Sequence, residues 1–157
     1  MNSILEKLKQ ILLKASDIID SMRNLPQETA TNQDTLGSDW GNTVVAHHNV
    51  RALCDLEGLS FEQKETLTAC VYQESRFDIN AKHENIVDGK VSSTDWGIVQ
   101  VNDYFHIGPG KDFPSVEYVL SHPEECVRWM CKLFKAGQAN LWSSYSTGAY
   151  KQWLGKV

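Results

Sequence analysis

Two acidic side chains stand in contexts that would set them to opposite tasks. Leu67, Cys70, Val71 and Glu74 recur at i, i+3, i+4 and i+7, so a helix here places Glu74 on an apolar stripe. Such a carboxyl is partly desolvated, which penalises its charged form. The C-terminal end of the helix dipole acts in the same direction. A glutamic acid that keeps its proton is what a general acid requires. Asp95 differs. It follows Ser92, Ser93 and Thr94 just past a hairpin turn, so it is expected hydrogen-bonded, partly wet and ionised. Two carboxyls with opposed environments are the pattern for an acid and a partner carboxylate. Facing each other across a cleft, they could serve glycoside hydrolysis. Each has an ordinary reading as well: a snorkelling glutamate at a helix end, and a turn aspartate.

The elements that must position them follow from periodicity and capping. A helix is expected around 43–56, ending near Gly58. Ser60 and Gln63 offer a capping box for a second helix running to about Ser75. The character changes over 83–103, where Asp88-Gly89 between Ile86-Val87 and Lys90-Val91 signals a hairpin turn. Beyond it, Trp96 to Val101 reads as extended and buried. Ser121, Pro123 and Glu124 start another helix, with Val127, Met130, Cys131 and Phe134 on one face and Gly137 after its end. Short helices cover 140–154. The class is α+β, mainly α, with one small β-hairpin lobe.

Ahead of this lies a separate piece. Residues 3–25 read as an amphipathic helix, opened by a Ser3–Glu6 capping box and ended by Pro26. Its apolar face is suited to its own domain, to a partner or second copy, or to a membrane surface. Residues 27–39 are polar, a linker by composition. The chain divides into 1–42, helix and linker, and 43–157, the folded domain.

Composition bounds the rest. The 157 residues hold 15 Lys+Arg against 20 Asp+Glu, a net charge of −5, which argues against a nucleic-acid binder that neutralises phosphates. No run approaches the roughly 18 apolar residues of a spanning helix. Met1 to Lys9 is broken by charge, so no secretory signal is visible. Cys54, Cys70, Cys126 and Cys131 lack CxxC spacing. They read as buried thiols, with a bridge such as Cys54–Cys70 left open for an oxidising compartment. Cys126 and Cys131, five apart on one helix, point too far apart to bridge each other. His47, His48, His83, His106 and His122 form no metal-binding array. No nucleotide loop is present, so no cofactor and no metal are expected.

Segments in chain order carry a family resemblance. Gln73-Glu74-Ser75-Arg76-Phe77-Asp78-Ile79-Asn80-Ala81, then Asp88-Gly89, then Ser93-Thr94-Asp95-Trp96-Gly97-Ile98-Val99-Gln100-Val101-Asn102, resemble the lysozyme and lytic-transglycosylase superfamily of bacterial or phage type. Tyr145-Ser146-Thr147-Gly148-Ala149-Tyr150-Lys151-Gln152-Trp153 resembles the Tyr-Asn-Ala-Gly segment of the soluble lytic transglycosylases. The likeness covers roughly 45–155. It implies a lysozyme-like fold and cleavage of the β-1,4 bond between N-acetylmuramic acid and N-acetylglucosamine in peptidoglycan glycan strands. Glu74 would be the acid and Asp95 the second carboxylate. Gln100 would hydrogen-bond sugar, Tyr145 would lie near the acid, and Ser75 would help to order it and bind substrate. Trp96, Phe105, Trp142 and Tyr150 are candidates for stacking on sugar faces. Lysozymes use water, whereas lytic transglycosylases let the muramyl C6 hydroxyl attack and form a 1,6-anhydro end; both stay open. A third reading is a non-catalytic glycan-binding or virion structural module. The resemblance implies action in the periplasm or cell wall; with no signal visible, the expected routes are a holin-type hole, a phage particle, or export as one domain of a longer protein.

Overall fold

Asn42 and Ser60 start the two helices on which the rest is built. Asn42 Oδ1 accepts from the amides of Val44 (2.9 Å) and Val45 (3.3 Å), opening α1 (Thr43–Leu56). Ser60 Oγ accepts from Gln63 N (3.2 Å) while Gln63 Oε1 accepts from Ser60 N (3.0 Å). This is the reciprocal box expected from the sequence, and it opens α2 (Phe61–Ser75). The computed structural model describes residues 36–157. The helix expected over 3–25, and the partner or self-association expected of it, lie outside the described residues.

β1 (Lys82–Val87) and β2 (Lys90–Trp96) pair antiparallel, and β3 (Val101–Asn102) completes a sheet in the order β1-β2-β3. Asp88 (φ 51°) and Gly89 (φ 72°) both lie in the left-handed region, as a two-residue hairpin turn of type I′ demands. The register slips by one between Asn85 and Ile86, a bulge with consequences for the site.

The stretch expected to be extended and buried is extended only at its ends, Trp96 and Val101. Ile98, Val99 and Val101 are at most 1% exposed, yet residues 97–100 form a turn. Gly97 (φ 73°) opens it, and Gln100 (φ 55°), whose amide donates to Gly97 O at 3.1 Å, closes it. An uninterrupted apolar run does not separate a buried turn from a buried strand.

Three helices follow: α3 (Asp103–His106), α4 (Val116–Ser121) and α5 (Pro123–Lys135). The sequence reading contains α5, with the expected Val127, Met130, Cys131 and Phe134 buried, but not α3 or α4. The 3₁₀ turns Ala139–Leu141 and Ala149–Trp153 flank α6 (Ser143–Ser146), the short helices expected over 140–154.

Val50 and Leu53 of α1, Leu67 and Val71 of α2, and Val127 and Met130 of α5 share one core with Ile98, Val99 and Val101. The architecture is α+β and mainly helical. Leu36 and Trp40 pack on the same core, and the Asn49 side chain binds both Gly37 N (2.7 Å) and Gly37 O (2.8 Å). The compact unit therefore runs from Leu36 to Val157, starting ahead of Thr43.

All four cysteines are free and buried. The thiol that Cys54 touches is that of Cys131, at 3.9 Å, and not that of Cys70.

Candidate functional site

Glu74 and Asp95 line one cleft of about 860 Å³, within the range of ligand pockets. The end of α2, the sheet, α3 and the segment Leu141–Ser143 form its walls. Glu74 is half-buried at the end of the stripe of Leu67, Cys70 and Val71, all of them 0% exposed. Its Oε1 accepts from Ser144 N at 3.0 Å. Its Oε2 takes no hydrogen bond among the described residues. On the same stripe, burial pushes the Cys70 thiol up to about 12, so it stays neutral beside the acid.

Asp95 sits on the central strand and is held from both sides. Asn85 Nδ2 of β1 donates to Oδ2 (2.9 Å), and Asn102 Nδ2 of β3 donates to Oδ1 (2.7 Å). The second hydrogen of each amide goes to Ser93 Oγ, at 3.1 and 3.0 Å. Asn102 Oδ1 in turn accepts from Phe105 N (3.3 Å), which caps α3 and fixes which way that amide faces. The bulge makes this ring of four residues. Beyond it His83 faces Asp95 and Asn85 faces Ser93; with the register of the turn carried on unshifted, Lys82 and Glu84 would take those places. His83, Asn85, Ser93, Asp95 and Asn102 all line the cleft.

The turn 97–100 is anchored by two side chains from the helical half. Ser75 Oγ donates to Ile98 O (2.7 Å) and Trp142 Nε1 donates to Val99 O (2.7 Å). Ser75 Oγ also accepts from Phe77 N (3.1 Å). Ser75 is 7% exposed and is not among the residues that line the cleft; its contacts are to the chain. Gln100 does line the cleft. Its Nε2 donates to Gly97 O (2.9 Å) and Ala81 O (3.3 Å), which uses both amide hydrogens and leaves Oε1 to accept from a ligand.

Backbone strain collects here too. Arg76 (φ 57°), Phe77 (φ 63°) and Gln100 (φ 55°) occupy the left-handed region without being glycine. Such residues cost about 1–3 kcal/mol each and persist where the surroundings over-determine them. Arg76 is so held: its guanidinium lies 4.3 Å from the Tyr72 ring and 4.4 Å from the Trp153 ring. Trp153 Nε1 donates to Gln73 Oε1 (2.6 Å), tying the C-terminal 3₁₀ turn to the residue before Glu74.

Of the expected stacking residues, Phe105 and Trp142 line the cleft, while Trp96 and Tyr150 do not. Trp96 follows Asp95 on a strand, so it points to the opposite face, where its Nε1 donates to Asp103 Oδ2 (3.4 Å). That alternation was available in the sequence. Tyr145 is also outside the cleft lining; its ring stacks on Tyr150 at 5.4 Å and meets the edge of Phe134 at 5.8 Å. Sequence reasoning missed Asn85, Asn102 and Trp129, whose ring packs at 5.6 Å on Trp142 in the cleft wall.

Among the described residues, no group of three His, Cys, Asp or Glu could hold a metal ion, and no helix is long and apolar enough to cross a membrane. No protein-family model matches the chain, and no curated protein matches it.

Proposed function

We propose that the chain is a peptidoglycan glycosidase of the lysozyme type, hydrolysing the β-1,4 bond between N-acetylmuramic acid and N-acetylglucosamine. One observation carries the reading: two carboxyls, one on a helix end and one on a strand, line the same cleft, and each is fixed by amide donors. A proton on Glu74 belongs on Oε2, since Oε1 already accepts from Ser144 N. From there it passes to the glycosidic oxygen as the bond to the anomeric carbon breaks. Asp95, its two oxygens held apart by Asn85 and Asn102, meets the positive charge that develops on that carbon. Water then adds to the carbon and returns a proton to Glu74. Gln100 Oε1 takes a sugar hydroxyl, and Phe105 and Trp129 offer ring surface to neutral sugar.

Hydrolysis is favoured over intramolecular attack by the C6 hydroxyl for two reasons. The second carboxylate accepts from both Asn85 and Asn102, whose other amide hydrogens go to Ser93, and Tyr145, the transglycosylase-like feature, is absent from the cleft lining. Mass spectrometry of digested peptidoglycan tests this. Reducing muramic acid ends are expected. Anhydro-muramyl ends would make the enzyme a lytic transglycosylase, and an undigested wall would leave a glycan-binding module. Glu74→Gln is expected to lower lysis roughly 10²–10⁴-fold, the ordinary contribution of a general acid. Lysis near that of the unmodified chain would remove Glu74 from the reaction.

A further inference from the structure

Cys54 of α1 and Cys131 of α5 are each 0% exposed, and their Sγ atoms are 3.9 Å apart. The other two cysteines are engaged elsewhere. Cys126 Sγ lies 3.5 Å from Val119 O, and Cys70 lies on the stripe that ends in Glu74. A disulfide needs its sulfurs about 2.05 Å apart with Cβ atoms about 3.5–4.5 Å apart. Two thiols already in van der Waals contact need about 1.9 Å of further approach to reach bonding distance. We propose that Cys54 and Cys131 are joined by a disulfide that staples α1 to α5 when the chain folds in an oxidising compartment.

The oxidant is a small-molecule disulfide such as oxidised glutathione. One cysteine thiolate attacks it, forming a mixed disulfide and expelling one glutathione thiolate. The second cysteine thiolate attacks the mixed disulfide at the protein sulfur and expels the other. Two protein thiols are thereby oxidised and one glutathione disulfide is reduced to two thiols. The order of events follows from burial. In the folded chain the contact with Cys131 and the surrounding core hold the Cys54 thiol far above its ordinary value, so its thiolate is scarce. Exchange therefore precedes the closing of the core. Once made, the bond is shielded from reductants by that same core. It spans 77 residues, so it restricts the unfolded chain strongly. None of this rests on the glycosidase reading.

The test uses the full chain, reduced and denatured, then refolded in a glutathione redox buffer and in reductant alone. Free thiols are alkylated under denaturing conditions before trypsin is added. Cleavage after Arg51, Lys64, Arg76, Lys111, Arg128 and Lys132 leaves the four cysteines on four separate peptides. The expected product links peptide 52–64 to peptide 129–132, short of two hydrogens, with Cys70 and Cys126 alkylated. The oxidised protein is expected to melt several degrees above the reduced one. Cys70→Ala should keep that rise, and Cys54→Ala should abolish it. Alkylated Cys54 and Cys131 in refolded protein, or a link through Cys70 or Cys126, would overturn the assignment. The peptide map reads the natural sequence, so it decides even where a variant fails to fold.

Discussion

At the residue scale, the Asp95 ring separates positioning from chemistry. Asn102 donates to Asp95 and Ser93 with its two amide hydrogens and accepts from Phe105 with its oxygen, so Ala in its place releases three partners. A hydrogen bond to a charged group contributes about 1.5–3 kcal/mol, so Asn102→Ala is expected to lower kcat roughly ten- to hundredfold. KM on soluble glycan fragments should move much less, since the amide holds a carboxylate and not the sugar. Equal losses in both constants would instead make Asn102 a binding residue. A second residue acts on stability alone. His47 of α1 packs on Phe77 (ring centroids 4.9 Å apart), and its buried Nε2 has no hydrogen-bond partner among the described residues. Burial, with Arg51 and His48 nearby and Glu65 opposing them, lowers its pKa below the ordinary 6.5. As pH falls through 6.5 the unfolded chain takes up the proton first, so stability falls with pH; above 6.5 both states are neutral and the effect vanishes. Thermal melts from pH 7 to pH 5 should fall less for His47→Gln than for the natural sequence. Parallel curves would show that His47 plays no part in the acid sensitivity.

At the element scale, the turn 97–100 joins the two halves of the cleft. Gly97 is its tightest point: at φ 73° a Cβ would sit 3.2 Å from Val119 Cγ1 and 3.5 Å from Ile79 O. Gly97→Ala is therefore expected to destabilise the fold by about 1–3 kcal/mol, read as a lower denaturant midpoint with an unchanged m value. An unchanged midpoint would mean that the turn gives way without strain. The same turn shows where sequence legibility ends. α1 and α2 were readable because caps and a 3.6-residue period are local signals, and Glu74 was readable because it interrupts one. The single-turn α3 and the short α4 carry no full period and depend on contacts such as Asn102 with Phe105. The run Ile98-Val99 looks the same in a strand and in a buried turn. Asn85 opposite Ser93 depends on a bulge that no residue in β1 announces. Ring directions were the least legible. Trp142 was expected as a ligand surface, and it is 5% exposed and anchors the turn through Nε1; Tyr145 and Tyr150 stack on each other.

At the scale of the whole molecule, charge and chemistry work against each other. The chain carries −5, and the substrate proposed for it lies in an anionic wall. Long-range attraction therefore gives no help in reaching the wall, and recognition falls to the cleft. There the lining pairs two acids with Lys82, His83 and His106, and most of the remaining surface is amide, hydroxyl and aromatic. Lys82 is already paired with Glu84 (2.7 Å), and His106 with Asp112 (2.8 Å). Binding that rests on neutral hydrogen bonds and ring contacts changes little with salt, whereas repulsion between two anions is screened by it. The Debye length shrinks from ~30 Å at ~0.01 M to ~8 Å at ~0.15 M. Over that range the initial rate of lysis of whole cell walls is expected to rise or hold, and the rate on uncharged chitooligosaccharides to stay flat. A steep fall with salt on walls would mean that a local basic surface, and not the cleft, does the recognising.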